Sequence, residues 1–154
     1  MSMRIRIVPI DDYDPNFLKS LIEIDGDAFG FRNLTPTTLE SFMRFGKVFV
    51  GYEGQELVAV GEFIRDWYDT ENAYVVGLAV RPEKQNRGYG TRLLKSALEH
   101  LRAEGFSSVM LHVSPSNLGA MHVYKNLGFQ RVSLHKNEYG DGKEQILMKK
   151  VLQG

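Results

Sequence analysis

Strand-like and helix-like segments alternate along this chain in the order β-α-α-β-β-β-α-β-α-β-β. That order predicts an α/β fold: a mixed central sheet of about seven strands with about four helices on its faces. Three observations carry the prediction. Ala73-Tyr74-Val75-Val76-Gly77-Leu78-Ala79-Val80 is an apolar, strand-like run. An amphipathic helix pattern from about Gly88 to Glu104 follows it, with Tyr89, Leu93, Leu94, Ala97, Leu98 and Leu101 as its apolar stripe. Val109-Met110-Leu111-His112-Val113 is then a second strand, and strand–helix–strand of this length implies a right-handed crossover between parallel strands.

The remaining elements follow in order. Arg4-Ile5-Arg6-Ile7-Val8 alternates and reads as a first strand. Asp14-Pro15 reads as an N-cap followed by proline at the first helical position; Phe17, Leu18, Leu21 and Ile22 give the helix one apolar face. A second helix starts near Thr35-Pro36 or Thr37, with Thr37 and Glu40 at capping-box spacing. Val48–Tyr52 and Glu56–Ile64 form a hairpin around Glu53-Gly54. Gly105 is the expected residue just past the long helix. A shorter helix, Leu118–Leu127, ends at Gly128, and Phe129–Leu134 with Gln145–Val151 close the sheet around Gly140-Asp141-Gly142. Gly77 inside a strand marks a bulge or a close packing contact.

The chain has 154 residues and neither internal repeats nor a linker-like tract, so residues 1–154 read as one domain. Lys+Arg and Asp+Glu each number 19. This neutral balance, without a basic stripe, disfavours a nucleic-acid partner. The absence of cysteine removes disulfides, thiolate metal sites and a Cys nucleophile, and no metal site is assigned. No apolar run approaches membrane-spanning length and the first residues lack a signal-peptide core. The expectation is a cytoplasmic protein with no membrane partner.

Gln85-Asn86-Arg87-Gly88-Tyr89-Gly90-Thr91 lies where the central strand gives way to the long helix. Glycines there allow close backbone approach, and the helix start offers free N–H groups and a positive dipole end to an anion. No Gly-Lys-Ser/Thr follows, so it is not a P-loop; Leu93 occupies the place of a third glycine, so it is not a dinucleotide fingerprint. Taken alone, the stretch is also readable as a polar turn capping a helix.

Downstream residues decide between these. Gln85-Asn86-Arg87-Gly88-Tyr89-Gly90 is similar to the pyrophosphate signature of the GNAT superfamily of acyl-CoA-dependent N-acetyltransferases. Asn117-Leu118-Gly119-Ala120-Met121-His122-Val123-Tyr124-Lys125-Asn126-Leu127-Gly128-Phe129 resembles its later motif. The resemblance covers most of the chain and is firmest over Ala73–Phe129. It implies a single-domain GNAT fold with acetyl-CoA as donor. Backbone groups of Leu78, Ala79 and Val80 would pair with the pantetheine arm. N–H groups from Gln85 through Asn86, Arg87, Gly88, Tyr89 and Gly90 to Thr91 would hold the pyrophosphate. Asn117 would bind the pantetheine side or shape the slot between the two parallel strands. Tyr124 stands where these enzymes commonly carry a tyrosine acid; its other reading is packing on its helix.

Acyl transfer from a thioester to an amine requires a neutral amine, a stabilised oxyanion and a protonated leaving thiolate. The resemblance places His112 where N-terminal acetyltransferases of the superfamily carry a base, and Tyr74 on the neighbouring strand as its partner. A core histidine and a packing tyrosine are the other readings of the two positions. An α-amine with pKa ~8 is about a tenth neutral at pH 7, whereas a lysine at ~10.4 is below a thousandth. A relay without a strong carboxylate base therefore suits an α-amine.

The segment Lys136–Met148 is similar to the ending of RimI-like ribosomal-protein N-terminal acetyltransferases, except that Glu138 replaces the first tyrosine of a pair and Tyr139 keeps the second. The acceptor site is expected to use Tyr139 together with Phe29 and Phe31 of Phe29-Gly30-Phe31. Asp25, Asp27 and the acidic–aromatic loop Asp66–Glu71 are further candidates for attracting a cationic amine; solvated loops are the alternative. The leading expectation is transfer from acetyl-CoA to a protein or peptide N-terminal α-amine in a ternary complex. A small-molecule amine such as a polyamine or antibiotic, and a non-catalytic acyl-CoA sensor, are the competing readings. The superfamily also admits a homodimer.

Overall fold

A computed structural model describes residues 3–9, 14–29, 35–136 and 140–153, the side chains of 26–29 excepted. The elements are β1 (Arg4–Ile7), α1 (Pro15–Phe29), α2 (Pro36–Phe45), β2 (Gly46–Glu53), β3 (Glu56–Arg65), β4 (Asn72–Val80), a 3₁₀ turn at Pro82–Lys84, α3 (Tyr89–Ala103), β5 (Ser108–Val113), α4 (Leu118–Asn126), β6 (Gln130–Lys136) and β7 (Glu144–Val151). The order is the expected one, with the 3₁₀ turn added. The strands form one sheet in the order β1-β2-β3-β4-β5-β7-β6. Every neighbouring pair is antiparallel except β4 and β5.

Local chemistry fixes the helix starts. Asp14 Oδ1 accepts the Phe17 N–H at 2.8 Å, leaving Pro15 at a position where its missing N–H costs nothing. Thr35, not Thr37, caps α2: its Oγ1 accepts the Thr38 N–H at 3.2 Å, and Pro36 follows. The apolar stripe predicted for α3 is buried throughout. Leu93, Leu94 and Leu101 are nearly or wholly inaccessible, and each contributes roughly 1.5–3 kcal/mol of burial. That packing sets α3, and with it the loop at its start, rigidly against the sheet.

The sheet carries a core on each face. On one, α3 packs on Val58, Phe63, Ala73, Val75 and Val109. On the other, Leu21, Ile24, Leu39 and Met43 of α1 and α2 cover Val48, Val50, Val60 and Ala79.

A bulge in β4 links the two. Glu62 pairs with Gly77 and Phe63 with Val75, so Val76 has no partner on β3. Sequence reading put the irregularity at Gly77; the extra residue is its neighbour. One extra residue reverses the pleat. Ala73 and Val75 face the α3 side, whereas beyond the bulge Leu78 and Val80 pack there and Ala79 turns to the α1/α2 side.

The parallel pair is short. β4 meets β5 only at Asn72–Ser108, Ala73–Val109 and Tyr74–Met110. Past Tyr74 the strands separate, and the β5-facing edge of β4 has no strand partner.

Candidate active site

The separation of β4 from β5 opens a cavity of about 350 Å³, walled by β4, the 85–91 loop with the start of α3, and α4. Every residue expected to hold the donor lines it except Arg87. The Arg87 guanidinium lies instead 3.6 Å from Glu53.

The loop is built to present N–H groups. Gly88 is left-handed, with φ 79° and ψ 11°. A Cβ there would meet nothing within 4 Å, so the backbone angle, not crowding, demands glycine. Asn86, with φ 65°, is the one non-glycine residue at positive φ among the described residues. No side chain caps α3. Within the helix, the Arg92 N–H reaches the Gly88 carbonyl at 3.1 Å, and the earlier N–H groups have no preceding turn to bond to. At Gly90 a Cβ would stand 3.6 Å from Val80 Cγ2 and 4.0 Å from Leu78 Cδ2, filling the cavity beside β4. Uncapped N–H groups, a helix dipole and cleared backbone fit a diphosphate.

Two internal bonds trim the expected contact set. The Gln85 N–H donates to the Pro82 carbonyl at 3.4 Å, and Gln85 Nε2 donates to the Val80 carbonyl at 3.1 Å. The row of N–H groups facing a ligand therefore begins after Gln85, and the Val80 carbonyl already has a partner.

On the α4 wall, Asn117 Oδ1 accepts the Ala120 N–H at 3.1 Å and caps the helix. Two turns later the helix delivers Tyr124 to the cavity. Tyr124 is 9% exposed and its ring meets Phe129 edge-on at 5.8 Å. Burial pushes its phenol above the usual tyrosine value, so it holds its proton at neutral pH.

Tyr74 and His112 do not line this cavity; they meet each other. The Tyr74–Met110 register puts Tyr74 and His112 on one face of adjacent strands, where Tyr74 Oη and His112 Nδ1 are 2.6 Å apart. The His112 ring also packs edge-on against His135 at 5.7 Å, and His135 Nε2 lies 2.8 Å from Ser133 Oγ.

Glu62 escaped sequence reading. Register places it beside Gly77 and the bulge. Glu62 and Asp25 are 2% and 1% exposed. No N–H or hydroxyl donor among the described residues reaches Glu62 Oε1 or either Asp25 oxygen. The carboxyls interact with each other, and burial first, then the mutual contact, pushes Glu62 well above the usual carboxylate range. Burial likewise raises Asp25. Out of water, ionising both of two adjacent carboxyls is disfavoured.

The Phe29 side chain, Phe31 and Tyr139 lie outside the described residues, as does the Asp27 side chain. Asp66 organises its own loop, Oδ1 accepting the N–H groups of Tyr68 at 2.8 Å and Asp69 at 3.2 Å. Trp67 and Tyr68 on that loop are exposed.

An uncapped helix start beside a slot between two diverging parallel strands has the form expected of an acyl-CoA donor groove. The chain belongs to the acetyltransferase (GNAT) family, which it matches over residues 15–129. A mycothiol acetyltransferase of Streptosporangium roseum is 48% identical over 58 residues, which are 38% of this chain and 17% of that protein. The [ribosomal protein bS18]-alanine N-acetyltransferase of Escherichia coli K12 is 31% identical over 80 residues, 51% of this chain and 54% of that protein. The matched stretches thus span about half or less of these relatives' length. Over the whole fold, the crystal structure of the ribosomal-protein-S18-alanine N-acetyltransferase from E. coli superposes with a TM-score of 0.79 at 24% identity, covering 98% of this chain and 96% of that one. A GNAT family acetyltransferase from Elizabethkingia anophelis with acetyl-CoA bound gives 0.77 at 17% identity, with 97% of each chain covered. Among the described residues, no helix is long and apolar enough to cross a membrane.

Proposed function

We propose that this protein transfers an acetyl group from acetyl-CoA to a primary amine, with protein or peptide N-terminal α-amines as the acceptor class. The observation that carries the reading is the β4–β5 separation with uncapped α3 at its end and Tyr124 in its wall. The E. anophelis structure holding acetyl-CoA supports the donor, and the E. coli relative named for bS18 alanine supports the acceptor.

Acetyl-CoA supplies an activated thioester carbonyl. N–H groups of Asn86 and of Gly88 to Thr91 hold the diphosphate. Leu78 and Ala79, on the unpartnered edge of β4, align the pantetheine arm, and the backbone N–H of whichever of the two points to that edge is offered to the oxyanion. Tyr124 keeps its phenolic proton available to the departing sulfur, whose thiol pKa of ~8.5 needs only a modest donor.

His112 handles the amine proton. For its Nε2 to accept, Nδ1 must carry the other hydrogen and donate it to Tyr74 Oη, 2.6 Å away. Tyr74 thereby fixes the tautomer and the ring. An imidazole base suits an α-amine, which is partly neutral at pH 7, better than a lysine amine.

A small-molecule amine is the second reading, favoured by the relative named for mycothiol. A non-catalytic CoA sensor would not need Tyr124 buried in the wall with its proton held. The test is free-thiol release from acetyl-CoA with panels of free-amine peptides, lysine peptides blocked at the N-terminus, and polyamines. Turnover with the first panel is the expected result. Preference for blocked lysine peptides overturns the acceptor class, and CoA binding with no turnover on any panel overturns the activity.

A further inference from the structure

Glu53 lies outside the donor cavity. It closes β2 beside the Gly54 turn and is only 8% exposed. Three side chains converge on its carboxylate. The buried Tyr89 hydroxyl donates to Oε2. Lys84 Nζ donates to Oε1 at 2.9 Å, and Arg87 stands 3.6 Å from Oε2. Lys84 is also 3.6 Å from Glu56.

These partners bracket the loop. Lys84 ends the 3₁₀ turn before it, Arg87 is inside it, and Tyr89 is the first residue of α3 after it. Between them Asn86 and Gly88 both hold positive φ, a conformation that an asparagine adopts at a cost unless its surroundings hold it. Hydrogen bonds to an ionised acceptor are the stronger kind. The carboxylate is correspondingly held below its usual range, first by the Tyr89 hydroxyl and then by Lys84.

We propose that Glu53 is a positioning residue for donor binding. From the β2–β3 hairpin it fixes both ends of the 85–88 loop, so that the N–H groups at the start of α3 stand ready for the diphosphate of CoA. Its negative charge opposes a diphosphate, but positioning outweighs that repulsion, because Lys84 and Arg87 already neutralise it. The inference rests on the groove being the CoA site.

The test compares wild type with Glu53→Ala and Tyr89→Phe, by calorimetric Kd for CoA and by kinetics with acetyl-CoA and with S-acetylpantetheine, a donor lacking the diphosphate. Wild type binding CoA establishes the groove separately; no CoA binding by wild type overturns the functional reading and this inference with it. Positioning predicts that Glu53→Ala weakens CoA about tenfold and Tyr89→Phe weakens it less, in the same direction. It also predicts that KM for acetyl-CoA rises more than kcat falls, and that the loss in kcat/KM is larger for acetyl-CoA than for S-acetylpantetheine. CoA binding by Glu53→Ala as tight as or tighter than wild type overturns the proposal, as does an equal loss with both donors. If Glu53→Ala does not fold, the nearly isosteric Tyr89→Phe decides, and unchanged CoA affinity there overturns it.

Discussion

Two glycines separate what the backbone needs from what a ligand needs. Gly88 and Gly105 flank α3, both at positive φ, 79° and 97°, and a Cβ on either would meet nothing within 4 Å. Alanine at either position therefore costs left-handed strain alone, about 1–2 kcal/mol. For a chain of this size that lowers Tm by roughly 2–8 °C. The positions differ only in what they face: Gly88 lines the cavity, and Gly105 lies past the opposite end of the helix. Gly88→Ala and Gly105→Ala are then compared by thermal melting and by CoA titration. Both should melt lower by similar amounts, while CoA affinity falls only for Gly88→Ala. Equal CoA losses in the two variants, or melting unchanged in both, would refute the reasoning.

Other perturbations address the remaining parts. Tyr124→Phe should lower kcat roughly a hundredfold with little change in CoA affinity, measured by steady-state kinetics and titration; full kcat would remove the acid role. Tyr74→Phe should lower kcat about tenfold and shift the acidic limb of the kcat/KM–pH profile, because His112 loses the partner that fixes its tautomer; an unmoved profile contradicts the dyad. Glu62→Gln should stabilise the protein at neutral and alkaline pH. Both carboxyls of the pair have folded pKa values raised by burial, so the native state keeps a proton that the unfolded chain gives up above pH ~4, and native stability falls as pH rises through that window. The neutral amide removes that loss, a gain on the order of 1–3 kcal/mol that shrinks towards pH 4. A melting series in which Glu62→Gln is the less stable protein at pH 8 excludes a protonated pair.

The sequence made the architecture readable because periodicity reports burial. The stripe from Tyr89 to Leu101 could be satisfied only by a helix on the sheet, and all six of its residues are buried. The donor loop was readable because its signal is local: glycines, a strand before it and a helix after it. Contacts that depend on register carry no local signal, and the pairing of Tyr74 with His112 was expected from the family resemblance, not from spacing. Tyr74 and His112 lie 38 positions apart, and their 2.6 Å contact follows from Tyr74 standing opposite Met110. The bulge at Val76 was signalled only by its neighbour Gly77, and that it reverses the faces of the strand lining the groove shows only in the register. Glu53 beside a Glu-Gly turn looks like any solvated hairpin residue, and Glu62 looks like an outward position of an alternating strand. Only the fold reveals that both are buried, one amid cations and a hydroxyl, the other against a second acid.

Acetyl transfer to an N-terminal α-amine is read out by mass spectrometry of a peptide that carries one free α-amine and one lysine, incubated with acetyl-CoA and the protein. One added acetyl group is expected, located by fragmentation on the N-terminal residue, with no acetylation when that amine is blocked beforehand. Acetylation of the lysine alone, or an unmodified peptide beside protein that binds CoA, would contradict it.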